Sequence, residues 1–318
     1  MKSTFFIFIL ISPFFLFAKK EKNKPTAKEK MEFSELSYPF ETKFQQLDSF
    51  NINLAYVDEG KGDNTIVFIH GLGSYLPAWK QNIDSLKQYY RCIAIDLPGY
   101  GKSSKGQYPY SLEFYSNIII HFLNKLNIQK VTLCGHSMGG QISMLTALKY
   151  SDRVENLILC APAGFESFNK GEKRWFRQNI TTEGVMLTPK KTIITNLYDN
   201  FYNMPKSAQF MIDDRLALRK AKDFEAYCYA VTKSVEAMVN EPVINYLKDI
   251  KQPALIIFGA NDQLIPNRYM HGGATKKIAE YGQKNIPNST LKLIPKCGHF
   301  VQYEKAKEVN TYIHDFLK

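Results

Sequence analysis

The residues best suited to chemistry lie in Gly135-His136-Ser137-Met138-Gly139-Gly140, a Gly-x-Ser-x-Gly pattern between a strand-like apolar run at 131–134 and a helix-like stretch at 138–150. A serine between a strand and a helix must sit on a sharp turn with strained backbone, and its hydroxyl then projects from the end of the sheet. The flanking glycines let helix and strand approach without a Cβ between them. A helix beginning at Met138 supplies an unused backbone N–H and a partial positive charge where negative charge would develop on a substrate oxygen. The pattern also occurs in ordinary surface turns. Its strand-to-helix setting is what points to an activated serine.

A serine hydroxyl is a weak nucleophile and needs a base. Of the six histidines, His136 adjoins Ser137 and should be turned away from it by the bend. His70 opens a turn that it is expected to shape, and His121 and His314 fall on helix-like stretches. His271, in a Gly-flanked segment, is the one loose rival. His299 follows the last strand-like run in Cys297-Gly298-His299-Phe300, and a loop at a strand end can bring its side chain over Ser137, so it is the favoured base. The base needs an acid to fix its tautomer and stabilise its charged form. Asp262, in Gly259-Ala260-Asn261-Asp262 directly after the run 255–258, suits that role, although strand-end turns often carry Asp. The other strand end that could supply an acid carries Ala161-Pro162-Ala163 and no carboxylate. A second oxyanion donor is expected in His70-Gly71-Leu72-Gly73, where Leu72 N–H would pair with Met138 N–H.

These residues need a scaffold that brings several strand ends together. From Thr42 the pattern is extended and reads as an opening β-hairpin. Buried-strand runs at 66–69, 92–95, 131–134 and 154–160 then alternate with helix-like stretches at 79–89, 112–126 and 138–150. That alternation indicates right-handed βαβ units and a mostly parallel sheet. From 163 to 246 only helix-like segments occur, and strand-like runs resume at 253–258 and 290–294. The expected α/β organisation is a core of 42–162 and 247–318 with an inserted all-helical cap at 163–246 over the strand ends, where open α/β sheets place their ligands. The cap carries Phe165, Phe168, Trp175, Phe176, Phe201, Tyr202, Phe210, Tyr227 and Tyr229. These could line an apolar acyl pocket, or simply seat the cap on the core. Trp79, Trp175 and Phe300 are the candidate substrate contacts.

Four motifs resemble those of the α/β-hydrolase superfamily, from Thr42 to the C-terminus: His70-Gly71-x-Gly73, Asp96-x-Pro98-Gly99-x-Gly101-x-Ser103, Gly135-x-Ser137-x-Gly139, and the pair Asp262 and His299. The second is a structural turn of that family rather than a chemical group. The resemblance implies a mostly parallel central sheet flanked by helices and a Ser137–His299–Asp262 triad. Haloalkane dehalogenases and epoxide hydrolases of the fold use an Asp nucleophile, which Ser137 argues against. Carbon–carbon bond hydrolases commonly have Trp after the catalytic His, where this chain has Phe300, and cofactor-free haloperoxidases often have Phe where it has His136. What remains is similar to capped, lipase-like carboxylesterases, implying an apolar small-molecule ester as substrate and an acyl-enzyme on Ser137. Carbon–carbon or amide hydrolysis on the same triad is the alternative, and a non-catalytic binding module is the remote one, since neither Ser nor His is missing. No metal cluster, phosphate loop or haem motif appears, so no cofactor is implied.

Net charge is +11, and the N-terminus holds much of it. Lys2 precedes an apolar run at 5–18, and Lys19 and Lys20 follow. As a helix this run would span roughly 21 Å, short of a bilayer core of about 30 Å, so segment 1–18 reads as an export signal ending near Ala18, with an uncleaved membrane anchor as the rival. Segment 19–41, Lys-rich to Lys30, is expected to be a flexible tether. No Lys/Arg cluster interleaved with aromatics supports nucleic-acid binding. Five Cys in no metal-like spacing are expected to be mainly buried thiols, with Cys134–Cys160 the one pair that could bridge if their strands were neighbours.

Overall fold

Near-continuous apolar runs with β-branched residues bury both faces of a strand, so they stack side by side in the middle of a sheet with helices on either side. In the computed structural model, which describes residues 30–318, eight such segments form one sheet. They are β1 (Lys43–Leu47), β2 (Ile52–Glu59), β3 (Thr65–Ile69), β4 (Arg91–Ile95), β5 (Val131–His136), β6 (Val154–Cys160), β7 (Ala254–Gly259) and β8 (Ser289–Ile294), in the order β1-β2-β4-β3-β5-β6-β7-β8. β1 and β2 form the antiparallel hairpin, β2 runs antiparallel to β4, and every other neighbour pair is parallel. Every residue of β3, β5 and β7 is buried, whereas the edge strands β1 and β8 are partly open.

The crossovers are α1 (Lys80–Leu86), α2 (Leu112–Lys125) and α3 (Met138–Lys149). Between β6 and β7 the described chain is helical: α4 (Lys170–Asn179), α5 (Thr182–Met186), α6 (Lys190–Tyr198), α7 (Gln209–Ala217) and α8 (Phe224–Asn240). α9 (Thr275–Asn285), α10 (Val301–Glu304) and α11 (Ala306–Leu317) complete the core. The local chemistry explains the starts. Ser111 caps α2 by accepting from Phe114 N, and Asn169 with Glu172 forms a capping box that opens α4. The helix expected over 79–89 is shorter than its pattern: 76–79 is a 3-10 turn containing Pro77, and α1 ends at Leu86.

One expectation is corrected. The chain is not a tether as far as residue 41, because Met31, Phe33 and Leu36 are 4%, 4% and 2% exposed and pack into the core. The apolar side chains that begin at Met31 gain more by burial than a solvated linker does. The apolar run at 5–18 and the stretch before Lys30 lie outside the described residues. Cys92, Cys134, Cys160, Cys228 and Cys297 are all free and buried. β5 and β6 are neighbours, but their register sets Cys134 against Ile158 and His136 against Cys160, so the two thiols are not paired directly across.

Candidate active site

Four loops leave the carboxyl ends of β3, β5, β7 and β8, and they carry Leu72, Ser137, Asp262 and His299. Ser137 has φ 53° and ψ −118°, a conformation that costs a non-glycine residue free energy and persists only where its surroundings enforce it. Here the backbone enforces it: Ser137 N donates to Cys160 O (3.0 Å), and Ser137 O accepts from Gly140 N (2.9 Å), Gln141 N (3.2 Å) and Ala163 N (3.0 Å). The glycines act as their spacing implied. A Cβ on Gly135 would lie 2.3 Å from Gly139 O, and one on Gly139 would lie 2.2 Å from Ile69 O.

Asp262 is 5% exposed and fully used. Its Oδ1 accepts from Leu264 N (2.8 Å) and Ile265 N (3.2 Å), and its Oδ2 accepts from His299 Nδ1 at 2.8 Å. That bond places the proton on Nδ1 and leaves Nε2 as the ring nitrogen able to accept one. The rest of the His299 loop is held too. Gly298 N donates to Glu304 Oε2 (2.8 Å), and His136 Nε2–H donates to the His299 carbonyl (3.0 Å), their rings lying 4.8 Å apart. Burial, and then the neighbouring His299 ring, hold His136 well below the usual histidine range, so it stays neutral. His136 therefore turns away from Ser137, as expected, and supports the base's loop, which was not expected.

Ser137 and His299 line one cavity of about 300 Å³. Among the described residues the Ser137 hydroxyl has no hydrogen-bond partner; such serine–histidine contacts are often long without substrate and tighten with it. Met138 is the first residue of α3, and its N–H has no carbonyl within the helix to reach. Leu72 lines the cavity from the turn after β3. His70 shapes that turn: Nδ1–H donates to Gly71 O (2.8 Å) and Nε2 accepts from Leu97 N (3.0 Å). Burial pushes His70 down to about 4, which suits a ring that must stay neutral to accept. Asp96 and Ser103 bond to backbone as well. Asp96 Oδ1 accepts from Leu76 N (2.8 Å), and Ser103 Oγ donates to Asp96 O (2.6 Å) while accepting from Ala55 N (2.8 Å).

The three candidate substrate contacts part company. Trp175 and Phe300 line the cavity, Phe300 stacked on Phe201 at 5.2 Å between centroids. Trp79 does not: it is fully buried against Phe68, because the 3-10 turn carrying it faces the sheet. His271, the rival base, is bound to Glu166 through Nδ1 (2.6 Å). Sequence reasoning missed three further groups. Glu166 lines the cavity and also accepts from Asn267 N (2.7 Å), burial raising its pKa. Arg215 Nη2 donates to Gly73 O, and Asp214 next to it accepts from Tyr75 OH (2.5 Å), so α7 grips the turn after β3 at two points. Phe33 and Leu36 reach the cavity from ahead of the sheet. Their signal was an apolar residue every three or so positions just after the Lys-rich stretch. Among the described residues no cluster of His, Cys, Asp and Glu could hold a metal ion, and no helix is long and apolar enough to cross a membrane.

Comparisons with known proteins bear on the fold that carries these residues. A 2-hydroxy-6-oxononadienedioate/2-hydroxy-6-oxononatrienedioate hydrolase of Escherichia coli is 29% identical, the match covering 84% of this chain and 91% of that one. A probable hydrolytic enzyme of Pseudomonas aeruginosa superposes with a TM-score of 0.82 at 21% identity, over 91% of this chain and 98% of that chain. An esterase from Exiguobacterium antarcticum superposes with a TM-score of 0.72 at 23% identity, over 86% and 99%. A family model for the alpha/beta hydrolase fold matches residues 64–306, which contain every strand from β3 onward and each of the loops just described. The chain belongs to the α/β-hydrolase family.

Proposed function

We propose that this hydrolase cleaves a carboxylic ester of an apolar acid through an acyl-enzyme on Ser137. The observation that carries the reading is the 2.8 Å bond from His299 Nδ1 to the buried Asp262, on the wall of a largely apolar cavity that also holds the strained Ser137. Ser137 Oγ attacks the ester carbonyl as His299 Nε2 takes its proton, and the carbonyl oxygen, now negative, is met by the N–H groups of Leu72 and Met138. Collapse breaks the carbon–oxygen bond, and the proton on Nε2 goes to the leaving alcohol. Water then gives a proton to Nε2 and its oxygen to the acyl carbon. The free acid leaves, and the proton returns to Ser137. The helices between β6 and β7 serve as a cap whose apolar side chains, Trp175, Phe176 and Val231 among them, enclose the acyl chain.

Turnover of p-nitrophenyl esters should follow, and Ser137→Ala should lower kcat by at least about 10³-fold. Equal turnover by the two proteins would contradict the reading. A second reading has one observation in its favour: the Escherichia coli relative is named as a hydrolase of 2-hydroxy-6-oxononadienedioate, a keto acid with no ester or amide bond for water to cleave. It would be preferred if a vinylogous 1,5-diketone acid were cleaved with a higher kcat/KM than any ester. The positive start and apolar run at 5–18 support export; recovery of the activity with soluble cytoplasmic proteins would count against it.

A further inference from the structure

The family match begins at residue 64, yet part of the cavity wall comes from well before it. Residues 31–40 form a strap across the gap between the loop after β4 and the start of α8. Glu32 Oε2 accepts from Lys222 N (2.9 Å). The Phe33 ring lies 5.5 Å from the Tyr227 ring, with Lys105 Nζ 4.1 Å from its own centroid. Tyr38 OH donates to Asp96 Oδ2 and accepts from Lys102 N (3.2 Å). The strap is thus tied to both sides of the gap, and it points Phe33 and Leu36 into the cavity.

The shape of the cavity says what these residues meet. Phe224, Tyr227, Val231, Val235 and Val239 all line it, so one face of α8 borders it over about 22 Å at 1.5 Å per residue. An apolar space running along a helix suits an extended chain rather than a compact ring. The strap closes one end. Tyr227 is the link: its hydroxyl would lie 3.3 Å from a Cβ on Gly73, in the turn expected to hold the oxyanion, and its ring faces Phe33. The leaving alcohol must stay within reach of His299, whose loop packs under Phe201 and Asn200. The acyl chain then extends the other way, past the oxyanion turn and Tyr227.

We infer that the strap is the end wall of an acyl-binding arm, and that Phe33 and Leu36 set the length of straight-chain acid this enzyme accepts. The inference rests on the ester reading and adds its substrate class, esters of unbranched acids. Filling the arm with Leu36→Trp should lower the kcat/KM ratio of long to short p-nitrophenyl esters by about tenfold or more, and Leu36→Ala should raise it, since each methylene bound is worth roughly 10-fold or more. Phe33→Leu gives a milder shift in the same direction as Leu36→Ala and guards against misfolding of the larger change. The test has a second readout that needs no turnover: binding of straight-chain fatty acids of graded length to Ser137→Ala, with and without the Leu36 changes, by calorimetry. A length optimum that moves with residue 36 supports the inference. Variants that rescale all chain lengths equally, in turnover and in binding, overturn it. Absence of ester turnover by folded wild type would instead remove the ester reading, and the binding profile would still decide on the arm.

Discussion

The places of Ser137, Asp262 and His299 at the ends of β5, β7 and β8 were legible because each sits in a short motif whose local chemistry implies its position: a glycine-flanked bend, a turn after a strand, a Gly-His loop after the last strand. Residues that act through tertiary neighbours were not legible. His136 was expected only to turn away, and its bond to the His299 carbonyl depends on where the β8 loop lands. Arg215 and Glu166 carry no local signal for the cavity they line. Trp79 had a suggestive position and went to the core. The buried histidines have a measurable consequence. His70 titrates near 6.5 in an unfolded chain and at about 4 when folded, because burial disfavours its charged form. Between those values the unfolded chain binds the extra proton, so this contribution to stability is complete above 6.5 and is lost as pH falls toward 4. The advantage of wild type over His70→Gln in urea denaturation should therefore shrink by about 2 kcal/mol between about pH 7 and pH 5. A constant difference across that range would show that His70 is not held neutral by the fold.

At the scale of elements, the strand and helix pattern predicted the sheet well, with β6 found at its expected limits and most other strands within one or two residues. Long apolar runs bounded by glycine and proline admit few other structures. The N-terminal limit was misplaced because the Lys-rich stretch dominates the composition around it, while the short apolar spacing of Met31, Phe33 and Leu36 becomes meaningful only against α8 and the loop after β4. The contact between β3 and α3 bears directly on chemistry. Ile69 O occupies the space that a Cβ on Gly139 would need, so Gly139→Ala must push the start of α3 away from the sheet. Overpacking of this kind costs roughly 1–3 kcal/mol, and the displaced Met138 N–H would serve the oxyanion less well. We expect a lower urea midpoint together with a lower kcat. A variant with unchanged kcat would mean that Met138 N–H does not contribute to the reaction.

At the scale of the whole molecule, one sheet brings together loops that are far apart in sequence, and residues from each of the helices α4 to α8 between β6 and β7 line the same cavity as Ser137 and His299. The class of fold could be read from the order of elements, whereas the cavity could not. Its walls come from residues 31–36, from the turn after β3 and from α8, and no pattern within any one of them announces a shared surface. The aromatic content of the helical segment was readable, but not which rings face inward: Phe168 and Phe176 line the cavity, while Tyr198 and Tyr202 are about half exposed. The central claim is that this assembly activates Ser137. Its most direct test is to treat the folded wild-type protein with a fluorophosphonate probe, digest it and locate the added mass. The account predicts stoichiometric modification of Ser137, loss of labelling in Ser137→Ala, and labelling slowed by orders of magnitude in His299→Ala. Folded wild type that stays unlabelled, or that is labelled equally well without His299, would contradict it.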